Sequence, residues 1–189
     1  MNTTSIMIVG VGGQGTLLAS KLLGNVLLKQ GYDVKLSEVH GMSQRGGSVV
    51  TYVRYGDKVY SPIVDQGEAD YILSFEILES ARWISYLKKG GKLITNTQKT
   101  WPMPVITGAM AYPEGIVEKL SAKADVVAVD ALKLATEAGS AKAVNVVLIG
   151  VLSRLMDIPE EVWLTAIDET VPPKFLELNK KAFQLGRNA

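Results

Sequence analysis

The chain contains no cysteine. That excludes a disulfide, a thiolate nucleophile and any iron–sulfur cluster or zinc site held by cysteine within this polypeptide. It has one histidine, His40. The two-histidine zinc helix of metalloproteases is therefore excluded, and a Ser–His–Asp triad would have to be built around that single residue. An excess of either charge is also missing: 20 basic residues against 19 acidic ones leave a net charge of +1. Without a basic footprint to neutralise phosphates, no nucleic acid is expected as a partner. The longest apolar stretch, around Ala143 to Leu152, is interrupted by Asn145 and is too short to span a bilayer. Met1-Asn-Thr-Thr-Ser places no basic residue ahead of its apolar stretch, unlike a signal peptide. These features lead us to expect a cytoplasmic protein with no membrane contact.

What is present is ordinary for a globular protein: 47% apolar and 21% charged residues over 189 positions, enough to bury a sizeable core. We expect a single domain over 1–189, with a core over about 1–157 and a helical C-terminal extension over about 158–189. Ile6-Met-Ile-Val-Gly is a short apolar run ending in glycine and predicts a buried first strand. From Gly15 to Gln30 the pattern turns helical, with Leu18, Leu22 and Val26 recurring every four residues and Lys21, Asn25 and Lys29 on the other face. Gly31 is the expected stop. A strand over Val34 to Glu38 completes a βαβ unit and implies a parallel sheet.

Val49 to Tyr55 and Lys58 to Ser61 flank Gly56-Asp57, a pattern that predicts a β-hairpin. Strand, helix and strand then repeat over Tyr71 to Phe75, Glu76 to Lys89 and Lys92 to Asn96, with Gly90-Gly91 as the expected helix stop. After the Trp101-Pro-Met-Pro loop come a short helix, a strand over Asp125 to Asp130 and a helical remainder broken at Pro159 and Pro172-Pro173. The fold class is α/β: a doubly wound, mostly parallel Rossmann-like sheet with a β-hairpin insertion and a helical C-terminal segment.

Gly10-Val-Gly12-Gly13-Gln14-Gly15 lies between the first strand and the first helix. There Gly10 suits a tight turn, Gly12 a close backbone approach to a ligand and Gly15 close helix–strand packing. The helix start behind them offers unpaired N–H groups and positive partial charge for a phosphate or coenzyme A. Glu38 ends the second strand about where a ribose-binding acid would sit. Two readings stand: an anion or nucleotide contact, and glycines that serve only turn and packing. A P-loop is disfavoured because Gly15 is followed by Thr16 and not lysine. The loop His40-Gly-Met42-Ser-Gln44-Arg45-Gly46-Gly47 is the second unusual feature. Its glycines permit tight approach to another backbone. Arg45 can fork onto a phosphate or carboxylate of a ligand or a neighbouring chain, or pair with Glu38 or Glu68 within the subunit. His40 has no evident carboxylate partner and suits a loop-orienting role better than acid–base catalysis. Asn145 needs a hydrogen-bond partner if buried; Trp83, Trp101 and Trp163 are core residues or interface anchors.

Taken in order, Gly-Val-Gly-Gly-Gln-Gly at 10–15, Glu-Val-His-Gly-Met-Ser-Gln-Arg-Gly-Gly-Ser-Val at 38–49 and Tyr-Ser-Pro at 60–62 resemble the γ-type domain of the 2-oxoacid:ferredoxin oxidoreductase family. The resemblance continues through Gly67-Glu-Ala-Asp, Phe75-Glu76, Gly90-Gly91, Ala143-Val-Asn-Val-Val-Leu-Ile-Gly and Asn179-Lys-Lys-Ala-Phe, so it covers nearly the whole chain. The His-Gly-Met-x-Gln-Arg-Gly-Gly form of the second motif is similar to the indolepyruvate branch. The resemblance implies a small subunit of an enzyme that oxidatively decarboxylates arylpyruvates, joins the acyl group to coenzyme A and reduces ferredoxin. It also implies that thiamine diphosphate, Mg and the iron–sulfur clusters reside on a large partner subunit, with no catalytic residue and no metal in this chain. Consistent with this, Gly56-Asp57 is followed by Lys58 and does not form the Gly-Asp-Gly metal–diphosphate motif. Gly10, Gly12, Gly13, Gln14 and Gly15 are then candidates for phosphate or coenzyme A contact. His40, Met42, Gln44, Arg45, Gly46 and Gly47 are candidates for a substrate or subunit-interface loop. The alternative is a stand-alone NAD(P)-binding Rossmann-type oxidoreductase.

Overall fold

The computed structural model describes residues 3–38 and 46–189. The strands are β1 (Thr4–Val11), β2 (Asp33–Glu38), β3 (Ser48–Gly56), β4 (Ala69–Ser74), β5 (Leu87–Asn96) and β6 (Asp125–Val129). They form one sheet in the order β2-β3-β1-β4-β5-β6. The β1–β4, β4–β5 and β5–β6 pairs are parallel, whereas β3 runs antiparallel to both β1 and β2. The helices are α1 (Thr16–Lys29), α2 (Ile77–Trp83), α3 (Met103–Ile106), α4 (Ile116–Ser121), α5 (Ala131–Ala138), α6 (Val144–Ser153), α7 (Glu160–Thr170) and α8 (Leu176–Arg187).

β1 reads as a continuous apolar run because it is covered on both faces. Ile6 and Ile8 point into a core built with α1, α5, α6, α7 and α8, while Met7 and Val9 point into a smaller core with α2 and α4. The C-terminal helices share the larger core: Trp163 and Phe183, both fully buried, stack with ring centroids 6.2 Å apart. α6 is buried along its whole length, which explains why it shows no polar face.

Three expectations need correction. Residues 58–61 form no strand; β3 instead pairs back onto β2, with Asp33 opposite Gly56 and Glu38 opposite Thr51, and inserts between β2 and β1. β1 and β2 thus point the same way but are not neighbours. Second, the helix expected over Glu76 to Lys89 stops at Trp83 and closes with a 3₁₀ turn over Ile84–Tyr86. Third, Gly90-Gly91 is not a helix stop but lies inside β5. A Cβ at Gly91 would sit 2.9 Å from the carbonyl oxygens of Ala69 and Asp70, where the β4–β5 register shifts. The glycine there admits a bulge.

α6 and α8 cross at glycines. A Cβ on Gly150 would lie 2.2 Å from the Phe183 carbonyl oxygen, and one on Gly186 would lie 2.0 Å from that of Val147. Both obstacles are backbone, so the helices would have to separate. Gly24 of α1 meets nothing closer than Leu36 Cδ1 at 4.0 Å. Gly150→Ala is therefore expected to destabilise the chain by about 1–3 kcal/mol or more, while Gly24→Ala stabilises it by roughly 0.5–1 kcal/mol. Chemical denaturation of the two variants checks this; equal effects would rule out the crossing.

Candidate functional site

β1 is the strand at which the connections diverge: the chain leaves it toward β2 on one side and leaves β4 toward β5 on the other. In α/β sheets the crevice outside the carboxyl ends at such a point is where ligands bind. Here that crevice is bordered by the glycine loop after β1 and Phe75-Glu76 after β4.

The glycine loop is held rigidly by its own protein. Gln14 Oε1 accepts from the Val11 N–H at 2.8 Å, and the Gly12 N–H donates to the Gly47 carbonyl at 2.8 Å. The loop at 10–15 is thereby tied to the end of the 40–47 segment. A Cβ at Gly10 would fall 2.9 Å from Phe75 Cβ, and one at Gly15 would fall 2.8 Å from Asn145 Nδ2. Asn145 is the expected buried amide: its Nδ2 donates to the Gly15 carbonyl at 3.3 Å and its Oδ1 accepts from the Val146 N–H at 2.9 Å. Gly15, in the left-handed region, is the N-cap of α1. Gly13, also at positive φ, has open space where a Cβ would be.

Among the described residues, the Gly13 and Gly15 N–H groups find no acceptor. They border a cleft of about 470 Å³ lined by Gln14, Gln98, Leu132, Lys142 and Val144. Backbone amides at a helix start beside an ammonium group make an anion-accepting environment. Glu38 ends a strand that is not the neighbour of β1. With β3 intervening, its Oε1 accepts from Ser20 Oγ in α1 at 2.8 Å. The expected sites at His40, Met42, Gln44 and Arg45 lie outside the described residues, whereas Gly46 (φ +89°) and Gly47 sit beside the glycine loop.

A polar network that sequence reading did not find lies on the other side of the crevice. Glu76, 1% exposed, caps α2 by accepting from the Glu79 N–H at 2.9 Å through Oε2, and its Oε1 accepts from the Thr100 N–H at 2.9 Å and Tyr112 OH at 3.0 Å. Burial, with the Glu76 carboxylate alongside, pushes the Tyr112 phenol well above its ordinary range, so it stays a donor. Glu79 accepts from Ser48 Oγ and from Trp83 Nε1, the latter at 3.3 Å. Asn96 ties the end of β5 to both neighbours: its Nδ2 donates to the Phe75 carbonyl at 3.2 Å and its Oδ1 accepts from the Ala131 N–H at 3.2 Å. The sequence signal was Phe75-Glu76 within the family motif series, but nothing local marked it as a hub.

A model of the family described as pyruvate ferredoxin/flavodoxin oxidoreductase matches residues 5–189. The chain belongs to this family. A relative from Thermococcus kodakarensis, named indolepyruvate oxidoreductase subunit IorB, is 48% identical over 195 residues, covering 100% of this chain and 96% of the relative. The Thermococcus litoralis pyruvate/ketoisovalerate oxidoreductases common subunit gamma is 28% identical, covering 95% of this chain and 91% of the relative. The crystal structure of pyruvate oxidoreductase subunit PORC from Thermotoga maritima shares the fold with a TM-score of 0.78 at 22% identity, over 100% of this chain and 97% of that one. The chain is thus an oxidoreductase-family α/β subunit, and the stand-alone NAD(P) reading is not supported.

Within this pyruvate ferredoxin oxidoreductase-family domain the two glycines should differ. Gly13→Ala is expected to cost only the left-handed backbone penalty of about 1–2 kcal/mol. Gly15→Ala adds a clash with Asn145 and should destabilise more strongly, measured as the difference in thermal midpoint. A Gly15→Ala midpoint no lower than that of Gly13→Ala would show that Asn145 does not hold the loop.

Proposed function

We propose that this chain is the small, non-catalytic subunit of an indolepyruvate (arylpyruvate) ferredoxin oxidoreductase, acting as one γ-type unit over 1–189 in the cytoplasm. The observation that carries the reading is the 48% identity, over the full chain, to relatives named as indolepyruvate oxidoreductase subunits, against 28% for the pyruvate/ketoisovalerate subunit. The reaction is oxidative decarboxylation of an arylpyruvate to the aryl-acetyl-coenzyme A and carbon dioxide, with the two electrons passing to ferredoxin. Thiamine diphosphate, Mg and the iron–sulfur clusters belong to a large partner subunit. This chain is unsuited to hold them: it has no cysteine, and Gly56 is the last residue of β3, paired with Asp33 at the end of the sheet opposite the glycine loop.

The part left to this chain is to wall and position. The cleft of Gly13, Gly15, Gln98 and Lys142 offers two amides, an amide side chain and a cation to a phosphate of coenzyme A or the carboxylate of the substrate. The Gly12–Gly47 hydrogen bond ties Gly47 to the same edge, and His40, Met42, Gln44 and Arg45, which precede it in the sequence, are the residues we assign to contact with substrate or the large subunit. The loops act first in docking and secondarily in ligand contact.

Anaerobic purification of the chain from its native extract is expected to bring down a large subunit bearing cysteine motifs and a thiamine-diphosphate motif, with indolepyruvate- and coenzyme A-dependent dye reduction. Recovery of the chain alone, with bound nicotinamide nucleotide, would overturn the reading. In the recovered complex, Arg45→Ala and Lys142→Ala should each raise the apparent KM for coenzyme A or arylpyruvate several-fold; unchanged kinetics with weakened assembly would leave the loops a docking role only.

A further inference from the structure

Among the described residues, the segment between β5 and α4 carries the densest group of exposed large apolar side chains. Residues 101–113, Trp-Pro-Met-Pro-Val-Ile-Thr-Gly-Ala-Met-Ala-Tyr-Pro, contain no charged residue in a chain that is 21% charged. Trp101, Met103, Ile106 and Met110 are exposed by 60, 67, 61 and 65%. Four of the eleven large apolar side chains that stand exposed among the described residues fall between Trp101 and Met110. An apolar patch of this density marks an interaction surface, and tryptophan and methionine without charge are what the centre of an interface uses.

This arm is built to hold its shape. Its backbone closes on itself through Val105 and Ile106 N–H to the Pro102 carbonyl (2.9 and 3.1 Å), Thr107 N–H to Met103 (2.9 Å) and Met110 N–H to Pro104 (3.0 Å). Pro102 and Pro104 restrict it further. Both roots are fastened to one buried carboxylate, since Glu76 Oε1 accepts from Thr100 N–H and from Tyr112 OH. These bonds restrict the arm's backbone in the free chain, which lowers the entropic cost of binding.

We propose that this arm is an apolar anchor that inserts into the large, thiamine-bearing subunit of the complex. The inference rests on the subunit reading above and adds which face of the chain makes the contact. Two observations select that occupant. The arm leaves the sheet at the carboxyl edge, and Gln98 at its root lines the same cleft as Gly13 and Gly15, so it is continuous with the edge that must meet the reacting centre. The same fold also covers only 31% of the chain in a solved structure of 2-oxoglutarate:ferredoxin oxidoreductase from Magnetococcus marinus, matching 100% of this chain with a TM-score of 0.74 at 19% identity. There the domain is covalently joined to the remaining two thirds, whereas the relatives named as indolepyruvate oxidoreductase subunits are matched over 96% of their length, so a face that is internal in the longer chain is an intersubunit face in the shorter ones.

Binding of the purified chain to the purified large subunit, followed anaerobically by light scattering or calorimetry, tests this. Replacing Trp101, Met103, Ile106 and Met110 together by serine is expected to weaken the complex at least tenfold while leaving the chain's thermal midpoint unchanged. Ile106→Lys alone, which would bury a charge at the contact, should weaken it comparably, and Tyr112→Phe, which frees one root, should weaken it less. Leu28→Ser, in the exposed face of α1, should leave it unaltered. Wild-type affinity in Ile106→Lys and the serine variant overturns the anchor. So does a wild-type chain that self-associates through the arm and is made monomeric by the serine variant. Failure of the wild-type chain itself to bind would instead strike the subunit reading.

Discussion

Contact between the glycine turn and two side chains from distant parts of the sequence, Phe75 and Asn145, fixes the geometry of the whole carboxyl edge. The missing side chains at Gly10 and Gly15 are filled by Phe75 Cβ and Asn145 Nδ2, at 2.9 and 2.8 Å from where a Cβ would stand. Neither glycine therefore makes room for a ligand; they bring β1, β4 and α6 to van der Waals distance. Once the turn is clamped, α1 starts at a set angle, its first amides face the cleft, and Gly12 can reach Gly47. The buried polarity of the neighbouring strand ends follows the same logic: Glu76 and Asn96 spend their hydrogen-bonding capacity on loops and not on solvent, as buried polar groups must.

The antiparallel β3 is the second constraint. Because it lies between β1 and β2, the acid at the end of β2 is moved one strand away from the glycine turn and is engaged by Ser20. The strand order therefore departs from that of a dinucleotide site, in which the acid-bearing strand lies next to the glycine-loop strand. Fold and site diverge here, as they often do.

Much of the fold was legible. The period-four apolar stripe of α1, its Gly31 stop, β1, β2, β6 and the helical C-terminus were all written in local pattern. The errors share one cause: pairing and close approach over long range. Gly56-Asp57 has the local look of a hairpin turn, yet the partners of β3 are β1 and β2, the former paired from Val11 opposite Ser48 to Thr4 opposite Tyr55, far earlier in the sequence. Gly90-Gly91 follows a helix-compatible run, yet Gly91 is needed where the β4 carbonyls approach. At the site, the glycine loop announced itself through its motif and Asn145 through its apolar surroundings. Glu76 did not, because only the assembled sheet brings Thr100 and Tyr112 to it. Of the three tryptophans, the sequence had no means to say that Trp163 is buried and Trp101 exposed.

We propose that this chain, which has no cysteine to ligate a cluster, completes an oxidoreductase by presenting its carboxyl edge to a subunit that carries the redox centres. The most direct measurement is anaerobic turnover of indolepyruvate and coenzyme A with dye as acceptor, using the large subunit and this chain purified apart and mixed in increasing ratio. This division of labour predicts negligible aryl-acetyl-coenzyme A formation by either alone and activity that rises to a plateau at a fixed stoichiometry. Full activity of the large subunit without this chain, or no activity at any ratio with both properly folded and loaded, would contradict it.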